Sequence, residues 1–420
     1  MKMTPNDAPS RPGILAALQV ILEEGVAVGI PGLTAAIYNS RGKLWEFSAG
    51  CCNLENKTET AVSNLFGIGS ITKAFLAVVI LQLVDESRLK LSYTVRQFLN
   101  TEVIKDIKNA DAGTSTIEAL LSHRSGIESW YDDPVWIANG RGRLLDPKKI
   151  WTRTEALEYI THPGSKTPSR YSYSNTNYTL LGLIIEEITN DKAEAQIRKR
   201  ILEPLNLNDT YLEGYQEPPY PDRVSSRYHW ATKTFRETAR ICQAFSQPRE
   251  DLVNATRSNI SASWTAGCMI SSSTSIAAFT IALRDGCLLS HTSMKVLQDW
   301  NPIGNAAELG HGAFRRESKF AFGRWIGHSG SVLGFSSTMW WKDGDEMKIA
   351  PLRFSPMWVR CMPGLCQATQ ILFCGTQNFS GMLHNLQSVH KTKFEVVRPN
   401  LFIVKLSLTV SKPKNSGGYS

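Results

Sequence analysis

Two hydrophobic periods alternate along this chain, and the points where one gives way to the other divide it. In ILAALQVILEEGVAVG, Ile14, Leu15, Leu18, Ile21 and Leu22 recur at helical spacing and predict a helix. GLTAAIYNSRGKLWEFSAG reads as two strands around the polar turn NSRG. The apolar run AFLAVVILQLV then predicts a helix from Ser70 to about Val84, and LKLSYTVRQFL continues as helix or loop. Residues from about 90 to 260 are mostly helical patterns broken by loops with Pro and Gly, the best marked being TLLGLIIEEITN. Near residue 270 the pattern changes. GCMISSSTSIAAFTIALRDG reads as a strand, a serine-rich helix start and a helix stopped at Gly286. GRWIGHSGSVLGFSSTMWWKDGDE reads as two strands with a Gly-rich connection and a closing DG turn. ILFCGTQN and FIVKLSLTV are further candidate strands. Residues 347–370 hold no steady period, and the last ten residues have the composition of a disordered tail.

The order is therefore α-β-β-α, a long insert, then α-β-β. It predicts an α+β fold in a single domain over 1–400. A sheet lobe (about 10–85 and 265–400) is built from both ends of the chain, a helical lobe (about 86–264) is inserted, and 401–420 form a tail. No internal repeat is seen.

Composition removes several function classes. Of the 420 residues, 42% are apolar and 20% charged, an ordinary balance for a globular protein with a full core. The net charge of +8 is scattered, with no Arg/Lys stripe interleaved with aromatics, so nucleic-acid binding is not expected. The eight cysteines match no zinc spacing and read as small buried residues carrying reduced thiols. MKMTPNDAPSRPG has no apolar signal-peptide core, and no run of about 18 apolar residues exists to span a membrane. A cytoplasmic protein is the expectation. Neither a metal-ligand cluster nor a phosphate-cradling loop is present in the pattern, so no metal and no cofactor are expected.

Three stretches hold chemistry. In LFGIGSITKAF, Ser70 and Lys73 stand at i and i+3 and share a helix face. A first-turn Ser sits where backbone N–H groups favour developing negative charge, and a Lys whose pKa falls on burial can take its proton. The S-x-x-K spacing occurs five times, also at Ser40–Lys43, Ser87–Lys90, Ser388–Lys391 and Ser411–Lys414. Only Ser70 follows a glycine pair and opens a strongly apolar helix. In SRYSYSNTNYTLLG, Tyr173 and Asn175 either line a cleft, the phenol relaying a proton and the amide orienting a lysine or a carbonyl, or form an aromatic turn with Asn175 or Thr176 capping a helix. In GHSGSVLGF, His328 and Gly330 either face a cleft, with the Ser331 N–H joining that of Ser70 in an oxyanion hole, or form a glycine-rich hairpin edge. A second H-x-G stands at His162–Gly164, and Lys342–Gly344 reads as a turn. His123 in LLSHRSGI reads as a structural residue shaping a loop, and His311 in GHGAF either as a ligand or, as is usual for a lone His, as a surface or core residue.

With these segments in this order, together with LLSHRSGI, ILEPLNLNDTYL and AGCMISSSTSIAAF, the chain resembles the serine hydrolases related to class C β-lactamases, penicillin-binding DD-peptidases and the esterases and acyltransferases derived from them. The resemblance implies a β-lactamase/transpeptidase-like fold, an antiparallel sheet flanked by helices plus an inserted all-helical lobe, with the site between. It also implies Ser70 as the acylated nucleophile, Lys73 as its base, Tyr173 as proton relay, Asn175 beside it, and His328 and Gly330 in the third motif. His328 stands where many relatives have the lysine that grips a substrate carboxylate, which points toward the esterase-like members. A small-molecule acyl substrate is thus implied: an ester, an amide or a polyketide-type metabolite. The competing expectation is a catalytically silent binding or scaffold protein, suggested by the patternless stretch 347–370 and the basic charge.

Overall fold

The predicted hairpins assemble into one sheet that joins the two ends of the sequence. The computed structural model describes residues 12–38, 43–105, 107, 112–160, 170–304, 307–318, 323–344 and 368–374, all within the unit Met1–Thr376. Helix α1 (Pro12–Ala27) leads into β1 (Gly32–Tyr38), β2 (Leu44–Asn53) and β3 (Thr58–Glu59). The later sheet strands are β4 (Asn301–Gly304), β5 (Ala307–Leu309), β6 (Phe314–Ser318), β7 (Gly323–Val332), β8 (Phe335–Lys342) and β9 (Ala368–Cys374). They order as β4-β5-β6-β7-β8-β9-β1-β2-β3, nine strands, each paired antiparallel with its neighbours. β9 is the joining strand, with Ile371 opposite Ala35 on one side and Thr338 on the other. It contains ILFC of the expected final strand and begins three residues inside the patternless stretch, at Ala368. Residues 347–367, the candidate strand FIVKLSLTV and the expected tail lie outside the described residues.

Helix α2 (Thr72–Asp85) follows from the apolar run. A helix apolar on every side must be buried on every side, and every residue from Thr72 to Leu81 is buried. It packs on helices α3 (Asn175–Thr189) and α4 (Ser273–Arg284), where Phe75 stacks on Phe279 with ring centroids 3.7 Å apart. α4 starts as its serine run predicts: Ser272 Oγ accepts the Ser275 N–H at 3.1 Å, satisfying one of the free amides of the first turn. It stops before Gly286, whose φ of +72° suits a glycine.

The insert is mainly helical, as expected, but it is not purely so. Tyr228–Trp230, Leu252–Asn254 and Ser246–Arg249 form a small sheet of their own. Strands of three or four residues are too short to write a period-2 signature. A second small sheet pairs Phe66–Gly67 and Tyr211–Leu212 with Met269–Ser271, fastening the insert to the segment before Ser70. Among the five cysteines whose side chains are described, Cys242 and Cys268 are buried. Cys51 and Cys52 are half-buried and Cys287 is exposed, which corrects the expectation that all serve as core residues. Among the described residues no helix is long and apolar enough to cross a membrane.

The stacked pair at the α2–α4 contact gives a test. Phe75→Ala should cost roughly 3–5 kcal/mol, the usual range for emptying a buried phenyl site, read as a lower denaturation midpoint at unchanged slope. A cost below about 1 kcal/mol would mean that the α2–α4 contact does not hold the core together.

Candidate active site

Ser70 lies in a single tight turn, Gly69–Ile71, that runs directly into α2. Gly69 has a φ of +50°, and a Cβ there would stand 2.6 Å from the Ser331 nitrogen, so a side chain is excluded both by backbone conformation and by space. Lys73, one turn later, has no exposed surface. Its Nζ donates to Asn175 Oδ1 at 2.7 Å and to the Ala266 carbonyl at 2.6 Å, and it lies 3.1 Å from Ser70 Oγ. Burial pushes the Lys73 pKa well below the usual lysine value.

Asn175 is the first residue of α3, and its neighbour Ser174 occupies the cap position. The Asn175 backbone N–H and Nδ2 both donate to Ser129 Oγ, at 3.2 Å and 3.3 Å, which turns Oδ1 toward Lys73. Neither Asn175 nor Thr176 caps the helix. The Thr176 hydroxyl instead donates to the Glu128 carbonyl at 2.6 Å. The Tyr173 phenol lies beside Ser70, and its ring centroid lies 5.1 Å from Lys73 Nζ. Burial raises the Tyr173 pKa above the usual phenol value, the nearby Ser70 opposing that rise.

The third stretch comes from β7. A Cβ on Gly330 would fall 1.9 Å from the Ile68 carbonyl oxygen, so glycine is what lets this strand close on the Ser70 turn. Ser337 Oγ fastens the same carbonyl from β8, at 2.7 Å. His328 is buried, its ring set edge-on to Phe314 with centroids 5.0 Å apart. Its Nδ1–H donates to the Ser329 carbonyl at 2.6 Å. Burial first, and the Lys73 charge second, push its pKa down to about 3. Ser331 is exposed, with its backbone nitrogen beside Gly69. The fold thus gathers Ser70, Lys73, Tyr173, Asn175, His328, Gly330 and Ser331 at one place.

The remaining candidates fall elsewhere. His311 Nδ1–H donates to the Val296 carbonyl at 2.7 Å, and Glu118 is the carboxylate nearest its other ring nitrogen. Ser87 lies just past α2 at a φ of 60°. Lys342–Gly344 forms the turn expected of it, with Gly344 at a φ of +93°. Ser40, Ser388, Ser411 and His162–Gly164 lie outside the described residues. Sequence reasoning missed the Ala266 carbonyl, because a main-chain acceptor has no sequence signature. It also missed Ser129, Tyr171 and Arg316. Arg316, exposed on β6, lies 5.3 Å from the Phe314 ring centre and 5.7 Å from that of Trp340, and its charge reaches both His328 and Tyr171. No group of metal-ligating side chains occurs among the described residues.

Comparison with known proteins gives a consistent result. The Beta-lactamase family profile matches residues 18–350. Protein flp of Staphylococcus aureus (strain MRSA252) is 30% identical over 216 residues, 51% of this chain and 42% of that protein; the chain thus spans less than half the length of this curated relative. A D-stereospecific amidohydrolase from Streptomyces sp. superposes with a TM-score of 0.69 at 27% identity, over 86% of this chain and 94% of that one. A D-amino acid amidase from Ochrobactrum anthropi SV3, complexed with L-phenylalanine amide, shares the fold with a TM-score of 0.69 at 24% identity, over 86% and 91%.

The close approach at Gly330 is testable. Gly330→Ala should separate β7 from the Ser70 turn and lower the rate of labelling by a fluorophosphonate on the order of a hundred-fold, the usual scale for losing an oxyanion donor. Circular dichroism should stay unchanged. Labelling at the wild-type rate would show that this contact does not shape the site.

Proposed function

Because this chain belongs to the Beta-lactamase family, we propose that it is a serine-dependent hydrolase or acyltransferase working through an ester on Ser70, with a small ester, amide or polyketide-type metabolite as acyl donor. The hydrogen-bond set of Lys73 carries this reading. Two of its three partners, Asn175 Oδ1 and the Ala266 carbonyl, can only accept. They take both N–H bonds of an uncharged amine, and the remaining lone pair faces Ser70 Oγ at 3.1 Å. The electrostatic neighbours of Tyr173, His123 and His328 are tyrosines, histidines, Lys73 and Arg316, with no carboxylate to hold a charge on the amine.

In the proposed sequence Lys73 removes the Ser70 proton as Oγ attacks the acyl carbon. The oxyanion is held by the N–H groups of Ser70 and Ser331. Tyr173, kept as a phenol, gives its proton to the leaving heteroatom and regains one from Lys73. Water or an acceptor alcohol then repeats the path and frees the acyl group. His328 is uncharged above about pH 3 and supplies no fixed cation for a substrate carboxylate. This favours simple esters and amides over β-lactams, and the amidohydrolase likeness supports the amide side. A silent scaffold would have no use for a buried amine aimed at a hydroxyl, which speaks against that alternative.

A fluorophosphonate should label the wild type and not Ser70→Ala; equal labelling of both removes Ser70 from the reaction. Lys73→Ala should slow acylation by roughly two orders of magnitude. The pH dependence has a definite sign. A lysine with a lowered pKa is a base above that pKa, so the acylation rate should rise with pH and level off well below 10.5. A rate still climbing through pH 10.5 would contradict Lys73 as the base.

A further inference from the structure

Tyr173 must keep its phenol on Ser70, yet the backbone that carries it is an extended stretch ahead of α3. Ser174 Oγ donates to the Glu128 carbonyl at 3.1 Å, and the two main-chain amides on either side of Tyr173 are both held by one residue from the insert. The Ser172 N–H donates to the His123 carbonyl at 2.9 Å. The Ser174 N–H, two residues on, donates to the His123 ring Nδ1 at 3.1 Å. One residue therefore receives the two amides that flank Tyr173. Its ring also packs on the Tyr173 ring, centroids 4.2 Å apart and tilted by 31°, and on Tyr178 at 5.2 Å.

His123 has a left-handed backbone conformation, φ 53°, because it ends the short helix Ile117–Leu121: its N–H donates to the Leu120 carbonyl at 3.3 Å and the Arg124 N–H to the Ala119 carbonyl at 2.8 Å. Because Nδ1 accepts, any ring proton in the neutral form is on Nε2. The neutral form is the one present, since burial, then Lys73 and His328, push the His123 pKa well below its usual value.

We propose that His123 is the positioning residue for Tyr173: its carbonyl and its ring nitrogen clamp the amides on either side and hold the phenol against Ser70. The claim rests on the Ser70 acyl-enzyme reading above. A loop-shaping role, the expectation from sequence, would need only the bulk of the side chain. The clamp needs an acceptor at the Nδ1 position.

Three variants separate these. Phe at 123 keeps a ring but has no acceptor. Gly suits the left-handed backbone but also has none. Asn tolerates positive φ and places Oδ1 about where Nδ1 stands. Each is reacted with a fluorophosphonate over a range of concentrations, so that probe binding and the rate of bond formation are read separately, with circular dichroism as the check on folding. His123→Phe and His123→Gly should lose on the order of a hundred-fold in the bond-forming rate at unchanged binding, the scale of misplacing a catalytic group by about 1 Å. His123→Asn should stay within about tenfold of wild type. A folded His123→Gly or His123→Phe that reacts like wild type overturns the clamp, as does His123→Asn falling as far as either. If His123→Phe does not fold, the Gly and Asn pair still decides. Mass-spectrometric location of the adduct keeps the two claims apart: an adduct away from Ser70 in the wild type defeats the acyl-enzyme reading, whereas wild-type rates in the variants with the adduct on Ser70 defeat only the clamp.

Discussion

The arrangement depends on one buried amine. Lys73 has no contact with water, and two of its three hydrogen-bond partners are oxygens that cannot donate. An ammonium there would carry its charge into the core with no carboxylate among the groups that shape the neighbouring histidines and Tyr173, and burying an unpaired charge is among the costliest things a fold can do. In the proposed mechanism the uncharged amine avoids that cost and turns a lone pair to Ser70. Ser70 precedes the helix, Asn175 opens α3, Ala266 lies in a short helix beside the sheet, and Tyr173 comes from the extended segment between them. The fold brings Ser70, Asn175 and Ala266 within hydrogen-bond reach of Lys73 and the Tyr173 ring to 5.1 Å, through the packing of α2 on α3 and on the short helix Trp264–Gly267.

Closure from the other side is steric. β7 can reach the Ser70 turn only because positions 69 and 330 carry no side chain. The Ser337 hydroxyl fixes the Ile68 carbonyl at that junction. The sheet is in turn completed by β9, which holds the N-terminal hairpin and the β7–β8 hairpin in one plane. The site therefore draws on both ends of the chain, and the geometry around Ser70 depends on strand pairing far from it in sequence.

Much of this was legible from residue patterns, and the exceptions have physical causes. The apolar run after Lys73, the hairpins at 32–53 and 323–342, and the serine start of α4 follow from period and capping chemistry. Ser70 and Lys73 stood apart from the other four S-x-x-K matches because an apolar helix is what makes a lysine a usable base. The short strands of the insert were not legible, since three residues carry no period. Nor was the Ala266 carbonyl, whose role is set by tertiary packing alone. Asn175 was ambiguous between capping and lining a cleft because the same amide chemistry serves both. Only the position of Ser129 and Lys73 in space decides. Arg316 was hidden because β6 and His328 are neighbours in the sheet rather than in a motif.

The central claim is that the Lys73 amine is uncharged at neutral pH. The most direct measurement is the nitrogen-15 chemical shift of its side chain, recorded against pH in protein labelled at lysine Nζ and assigned by loss of the signal in a Lys73 variant. The account predicts an amine shift at pH 7 and a titration midpoint well below 10.5. An ammonium shift that persists to the ordinary lysine range would contradict it.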